Sequence, residues 1–257
     1  MMAARDIEYL SPPSQVSMAD RWFEIASVDH FWIKRRFDVL HRLAGGLVTN
    51  ARKIAEIGCG HGLLQRQIED RYGRDVTGFD LNEFALKQNV SRLSKVCCYD
   101  IFQRDPALLE QFDLILLFDV LEHISDEDTF VSALLHHLAP TGTLAVNVPA
   151  GQWAYSAYDR AAGHVRRYSI RSLRDVACRN GLEVGEWTYW GLPLLPPLIL
   201  RKLWLLGSHD EDEIISTGFD SRGDTINQLL GALSKCEPIP QKLAGSSLMA
   251  VLCRSQR

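Results

Sequence analysis

Between Ile54 and Gly62 the chain reads Ile-Ala-Glu-Ile-Gly-Cys-Gly-His-Gly, and no other segment limits its fold as strongly. A short apolar run, long enough for a buried strand, meets glycine at every second position and then enters the amphipathic stretch from Leu63. Strand, tight turn and helix leave the first helical N–H groups free and let the backbone approach a ligand closely, so a nucleotide-like molecule is expected there. A glycine turn alone is weak evidence, because any sharp strand-to-helix connection uses glycine. Its surroundings decide what it means.

Those surroundings alternate. Short apolar runs at 75–79, 96–99, 112–118 and 143–148 are separated by amphipathic stretches from Leu63, from Glu83 and from about Ser125 to Leu138, the last stopped by Pro140 and Gly142. Such βαβα order predicts a doubly wound, mostly parallel sheet with helices on both faces. Ser169 is placed to cap a helix ending near Asn180-Gly181, residues 182–189 alternate as a sixth strand, 225–233 is helical, and 247–252 closes the sheet as a seventh. Upstream, Trp22, Phe23, Ile25, Phe31, Trp32, Phe37, Leu40 and Leu43 recur at helical spacing and predict two N-terminal helices. The division expected is a helical extension or lid over 1–50 and one α/β domain over 51–257, with a substrate-side insert at 149–168 and an apolar insert at 191–215.

Composition narrows the function. With 257 residues and a formal charge of -4, the chain has no basic excess to draw it onto nucleic acid. Its six cysteines form no CxxC pair and read as reduced thiols, and the charged N-terminus lacks a secretory signature, so a cytoplasmic protein is expected. The apolar stretch 191–207 is interrupted by Pro193, Pro196, Pro197, Arg201 and Lys202, short of a membrane span. It reads as a loop or short helix capping a pocket, or as a peripheral membrane contact beside Trp187, Trp190 and Trp204.

Glu56, Asp80, Asp100 and Asp119 fall at or near the carboxyl ends of four successive strands, which line one crevice in a doubly wound sheet. An acid after the second strand suits ribose hydroxyls, and one after the third suits an adenine amino group. Asp80 would also serve a nicotinamide cofactor, but Leu63 stands where GxGxxG needs its last glycine, and GxGxG is met instead.

Taken in order, Glu56 to Gly62, Phe79-Asp80, Asp100-Ile101 and Phe112 to His123 resemble the successive motifs of class I S-adenosylmethionine-dependent methyltransferases, over about Lys53 to Val148. The resemblance implies strand order 3-2-1-4-5-7-6 with the last strand antiparallel. It implies that Glu56, Gly58, Cys59, Gly60, His61 and Gly62 hold the methionine part of S-adenosylmethionine. Asp80 with Leu81 would take the ribose, Asp100 and Ile101 the adenine, and Asp119, Val120 and Leu121 the region near the sulfonium. Two further pieces, 30–36 and 159–168, resemble a subset that acts on small molecules and cell-surface glycans. The first would fold over the cofactor and offer Arg36 or Trp32 to its carboxylate end.

The second piece, Asp159 to Tyr168, follows the fifth strand on the side where an acceptor must approach. Methyl transfer needs alignment and, for a hydroxyl acceptor, removal of a proton. His164 is the first candidate base and His123 the second, with Asp159 placed to orient either; Arg166 and Arg167 would hold an acidic acceptor or pair with Asp159. His136-His137 lacks partners at ligand spacing, so no metal is expected. No GxSxG elbow occurs, and Cys59 reads as packing. The expected activity is methyl transfer to an oxygen of a small-molecule, sugar or lipid-linked acceptor, since no Asn/Asp-Pro-Pro-Tyr element follows the fourth strand. Competing readings are a cofactor-binding protein without turnover and a nicotinamide oxidoreductase.

Overall fold

In a computed structural model, the chain is described over residues 6–16, 23, 26–205, 214 and 223–255. Strand β2 (Ile54–Ile57) lies in the middle of an eight-stranded sheet, with β3 (Thr77–Asp80), β4 (Val96–Cys98) and β1 (Glu8–Tyr9) outward on one side. On the other side lie β5 (Phe112–Phe118), β6 (Leu138–Pro149), β8 (Ser247–Arg254) and β7 (Leu182–Trp190). All pairings among β1 to β6 are parallel, and β8 runs antiparallel to both neighbours. Leaving β1 aside, this is the expected order of seven strands. The eighth is the two-residue β1, whose residues Glu8 and Tyr9 pair with Cys97 and Cys98 at the sheet edge.

Alternation along the central strands explains why the sheet is covered on both faces. Leu114, Leu116 and Phe118 pack with Leu64, Ile68, Val39 and Leu40 on one side, whereas Ile115 and Leu117 pack with Leu134, Leu173 and Val176 on the other. The first face is covered by α1 (Phe31–Asn50) and α2 (Leu63–Tyr72), the second by α4 (Glu127–His137) and α6 (Ile170–Arg179). Full burial of each such side chain contributes roughly 1.5–3 kcal/mol. The short α3 (Glu83–Lys87) follows β3, and α5 (Ala157–Ala161) lies in the expected substrate-side insert. A 3₁₀ turn, Leu192–Leu194, leads into α7 (Leu195–Trp204), and α8 (Asp224–Ser234) precedes β8.

Several boundaries differ from expectation. α1 runs to Asn50 rather than stopping near Leu43, with a kink at Ala44. The strand expected over 143–148 already begins at Leu138: Phe112 pairs with Leu138, the register shifts, and Leu114 pairs with Thr143, which absorbs Pro140 and Gly142 within the shift. The first expected N-terminal helix lies outside the described residues apart from Phe23, as does most of 206–222 with its acidic run. Among the described residues, no helix is long and apolar enough to cross a membrane.

The strand order reverses between β2 and β5, so the connections leaving these strands diverge and open a crevice at their carboxyl ends. Both the glycine turn and Asp119 are there.

Candidate active site

The glycine turn is locked from two directions. Gly58 and Cys59 both donate their N–H to the carbonyl of Phe79, and Gly60 N–H donates to Asp80 Oδ2 at 2.7 Å, while Asp80 Oδ1 accepts from Asn82 N–H at 2.8 Å. Gly58 has φ +75 and Gly60 φ +52. A β-carbon on Gly58 would lie 2.3 Å from Val120 Cγ2, and one on Gly60 2.8 Å from the Phe23 ring. The backbone therefore forms a cradle that side chains at those positions would fill. Above it lies a cavity of about 260 Å³, lined by Val16, Phe23, Arg36, Glu56, Gly58, Cys59, Gly60, His61, Leu63, Leu64, Asp80, Phe118, Asp119, Val120, His123 and Ile124.

Its charged floor is unusual. Glu56 is buried, and its Oε2 has no hydrogen-bond partner among the described residues. Burial pushes its carboxyl up to about 8 against the pull of Arg36. Arg36 reaches from α1 to pair with Asp119 Oδ2 and lies 5.1 Å from the centroid of Trp32 and 5.5 Å from that of Phe118. Asp119 has φ +58, and its Oδ1 accepts from Asn147 Nδ2 at 2.8 Å. Asn147 in turn accepts from Trp190 Nε1 at 2.9 Å. Burial raises the Asp119 carboxyl, opposed by Arg36. An orphaned carboxylate oxygen beside a guanidinium fits an aminocarboxylate, whose ammonium would satisfy Glu56 and whose carboxylate would face Arg36. The residues present thus fit the methionine end of S-adenosylmethionine. Trp32 is not part of the cavity wall; its ring packs on Trp190 at 5.5 Å, behind Arg36.

The remaining predicted cofactor residues sit at the same sheet edge. Asp100 caps the 3₁₀ turn Ile101–Gln103 through Phe102 N–H, and its own N–H donates to Ser11 Oγ. Leu81 accepts at its carbonyl from Ser14 N–H, and Leu121 opens the 3₁₀ turn after Asp119. Gly62, Leu81, Asp100, Ile101 and Leu121 stand outside the cavity lining. His61 lines it, with Nε2 3.1 Å from the Ala26 carbonyl, and burial holds its imidazole below the usual range.

In the 155–168 loop, Asp159 is a fully buried hub. It accepts from Ser156 N–H, Ser156 Oγ–H, Arg167 Nε–H at 2.7 Å and His164 Nδ1 at 3.1 Å. His164 and Arg167 hold its carboxyl well below the usual range despite burial. An ionised carboxylate only accepts, so Nδ1 is the nitrogen that donates to Asp159, and Nε2 is the one turned away from it. That Nε2 lies 4.0 Å from Glu122 Oε1, and the His164 and His123 rings meet edge-on at 4.8 Å. Burial and the neighbouring imidazole hold His123 down to about 3, and burial with Asp119 pushes the Glu122 carboxyl well up. The structure therefore brings all three predicted catalytic residues together, with His123 lining the cavity itself. Arg167 pairs with Asp159, whereas Arg166 pairs with Glu127 at 2.8 Å; neither guanidinium faces an acceptor alone.

Glu122, His123 and His164 also bring one ligand-type atom each within 4.8 Å of one another, a set able to hold a divalent ion. The sequence argument against a metal considered only His136-His137. Sequence reasoning also missed Val16, Phe23, Phe118, Glu122 and Asn147. Only Glu122 left a signal, as an acid beside a candidate base.

Comparison with known proteins agrees with this geometry. The model of a family described as a methyltransferase domain matches residues 26–186. The ubiquinone biosynthesis O-methyltransferase of Idiomarina loihiensis is 32% identical over 148 residues, covering 50% of this chain and 55% of that protein. A Mycolicibacterium smegmatis protein named for S-adenosylmethionine-dependent methyl transfer is 31% identical over 164 residues, 62% of each chain. This chain thus spans about three fifths or less of the length of these curated relatives. Among solved structures, a SAM-dependent methyltransferase from Archaeoglobus fulgidus shares the fold with TM-score 0.53 at 16% identity, covering 86% of this chain and 94% of that one. Phosphoethanolamine N-methyltransferase 2 of Haemonchus contortus, solved with S-adenosyl-L-methionine, shares it with TM-score 0.56 at 17% identity, covering 88% and 53%. With the family model matching more than half of its length over the glycine turn, the four strand-end acids and the Asp159–His164 loop, the chain belongs to the class I S-adenosylmethionine-dependent methyltransferases.

Proposed function

We propose that the protein methylates an oxygen, hydroxyl or carboxyl, of a small-molecule, sugar or lipid-linked acceptor, and that His164 takes the proton when the acceptor is a hydroxyl. The supporting observation is the Asp159–His164 pair: a buried carboxylate fixes one imidazole nitrogen as donor and leaves the other beside the cavity-lining His123. Glu56 and the turn 58–62 would hold the methionine part of the cofactor, with Arg36 at its carboxylate. Asp80 and Leu81 would hold the ribose, Asp100 and Ile101 the adenine, and 119–121 the sulfonium side. When bound, the cofactor supplies an electrophilic methyl group. The chain's own contribution is alignment, exclusion of water by Phe23 and Phe118, and a base of fixed orientation. The O-methyltransferase relative favours oxygen, as does the absence of an Asn/Asp-Pro-Pro-Tyr element.

The test is isotopic methyl transfer to a panel of hydroxylated quinones, phenolic acids and polyprenyl-linked sugars. His164→Ala should lower turnover by about 10²–10⁴-fold, the usual worth of a positioned base. Its affinity for S-adenosylhomocysteine should match that of the wild type. Undiminished turnover removes His164 as the base. Chelation should leave the wild-type rate unchanged; a loss reversed by added divalent metal would instead assign Glu122, His123 and His164 to an ion. A wild type that binds cofactor yet labels no acceptor would favour the binding-protein reading.

A further inference from the structure

We infer that Glu122, His123 and His164 form a binding site for a zinc-class divalent cation, and that the ion, when bound, switches methyl transfer off by occupying the imidazole nitrogen proposed as the base. The inference rests on that role of His164 and adds a regulatory ligand to the same site. Each of the three residues offers one ligand-type atom, and the three atoms lie within 4.8 Å of one another. Two ligands held about 2.0–2.2 Å from one ion stand roughly 3.3–4.4 Å apart, from tetrahedral to opposed positions. The 4.0 Å between His164 Nε2 and Glu122 Oε1 falls in that range. A pair at the 4.8 Å limit reaches its upper end by closing about 0.4 Å.

The cluster is built, and not only close. Glu122 is 1% exposed, and its Oε2 has no hydrogen-bond partner among the described residues. Its other oxygen is too far from His164 Nε2 for a hydrogen bond, so no such bond explains their approach. A buried carboxylate oxygen without a donor calls for a ligand. His164 is preset by Asp159, which meets its Nδ1 at 3.1 Å and is itself held by Arg167 and Ser156. A carboxylate on the far nitrogen is the support that orients a metal-binding imidazole and strengthens its near nitrogen as a ligand. The two chain segments are also tied together. Val165 N–H donates to the Glu122 carbonyl at 2.8 Å, and the Tyr155 hydroxyl donates to the His164 carbonyl at 2.7 Å.

Ligand chemistry selects the ion. Two imidazoles and one carboxylate suit zinc and its neighbours, whereas magnesium and calcium prefer shells made of oxygen. His123 lines the cavity, which supplies an entry path and leaves a coordination position open to it. The same placement makes the ion an inhibitor. One nitrogen lone pair cannot hold a cation and accept a proton, so a hydroxyl acceptor that reaches the loaded site keeps its proton. Removing the ion returns the base.

Calorimetry and rate measurements on the full chain, stripped with a chelator, test this. Zinc should bind at about one ion per chain and magnesium should not, and cobalt(II) should give the intense visible bands of a low-coordinate site. Glu122→Gln should weaken zinc by about 100-fold or more, beyond the roughly 10–100-fold expected for Asp159→Asn, which loses only the outer partner. In methyl-transfer assays zinc should lower the wild-type rate in step with calorimetric occupancy, by about 100-fold or more at saturation, and a chelator should restore it. Glu122→Gln, measured against its own zinc-free rate, should need correspondingly more zinc. The proposal is overturned if zinc does not bind, binds Glu122→Gln as tightly as the wild type, leaves the rate unchanged or raises it. If Glu122→Gln fails to fold, the wild-type cobalt spectrum decides in its place, and a pale octahedral spectrum overturns the site. Failure of the stripped wild type to methylate any acceptor would sink the proposed reaction and leave the binding result standing, so the two failures are distinct.

Discussion

A buried carboxyl with an unmet oxygen is a costly group to keep, and Glu56 shows what it is kept for. In the protein without cofactor its carboxyl is pushed up to about 8, against 4.5 for an ordinary glutamate. Between these values the folded chain holds a proton that the unfolded chain releases, so stability should fall as pH rises through that window and level off above it. Glu56→Gln should remove the Glu56 share of the fall, leaving that of the buried Glu122 carboxyl, and be more stable at the alkaline end by on the order of a few kcal/mol. It should also bind S-adenosylhomocysteine more weakly, because a neutral amide is a poorer partner for an ammonium. Urea midpoints measured across that pH range decide it, and parallel curves for the two proteins would refute the assignment. Asp80 belongs to a different class: its carboxylate already holds Gly60 N–H and Asn82 N–H. Asp80→Ala should therefore cost affinity twice, by loosening the turn and by removing a ribose partner. Hydrogen bonds to charged groups contribute about 1.5–3 kcal/mol each, so a loss of tenfold or more in calorimetric affinity is expected. A wild-type dissociation constant would exclude the ribose role.

At the scale of elements, α1 depends on two consecutive buried arginines. Arg36 goes to Asp119 at the crevice, and Arg35 goes to Glu237 at 3.3 Å, each side chain of that second pair being 1% exposed. Glu237 also accepts from Gly191 N–H at 2.6 Å and Leu192 N–H at 2.9 Å, so it ties α1 to the turn that launches α7. Arg35→Met leaves a buried carboxylate without its cation and should cost about 3–5 kcal/mol in denaturant unfolding; adding Glu237→Gln should recover part of that loss. A single-variant cost below about 1 kcal/mol would show that the backbone N–H groups suffice. This element also shows what sequence could reveal. The apolar spacing from Phe31 to Leu43 announced the helix, but not its continuation to Asn50. In the structure a β-carbon at Gly45 would lie 2.9 Å from the Tyr72 hydroxyl, so that glycine permits α2 to approach while the helix continues. β2 and β5 were legible because burial on both faces demands unbroken apolar runs. β1 was not, since two residues held by backbone pairing need no apolar pattern. The glycine turn, the strand-end acids and the Asp159–His164 pair could be read from local spacing. The Glu237 tie, the Asn147–Trp190 support of Asp119 and the Phe23 wall join residues far apart in the chain and leave no local trace.

For the molecule as a whole, three separate pieces of chain close over one edge of the sheet. The segment 10–16 crosses the ends of β3 and β4: Leu10 and Ser11 donate to the Cys98 carbonyl, Ser11 Oγ accepts from Asp100 N–H, Ser14 donates to the Leu81 carbonyl, and Val16 reaches the cavity. α1 reaches the proposed methionine end through Arg36, which pairs with Asp119, and the 155–168 loop reaches the proposed acceptor end through His164, held by Asp159. The strap is held mainly by single hydrogen bonds at a sheet edge, while β7 and β8 are paired along most of their length. Segments held so lightly open at low free energy, well below global unfolding. A ligand lying beneath the strap must therefore slow its opening, whereas the β7–β8 pair on the far side of the sheet gains nothing. Hydrogen exchange should show added S-adenosylhomocysteine protecting amides at 10–16, 58–62 and 119–124, with β7 and β8 unchanged. Protection of 58–62 without 10–16 would mean that the adenosine half lies away from Asp80 and Asp100, and that the strap serves the sheet edge alone.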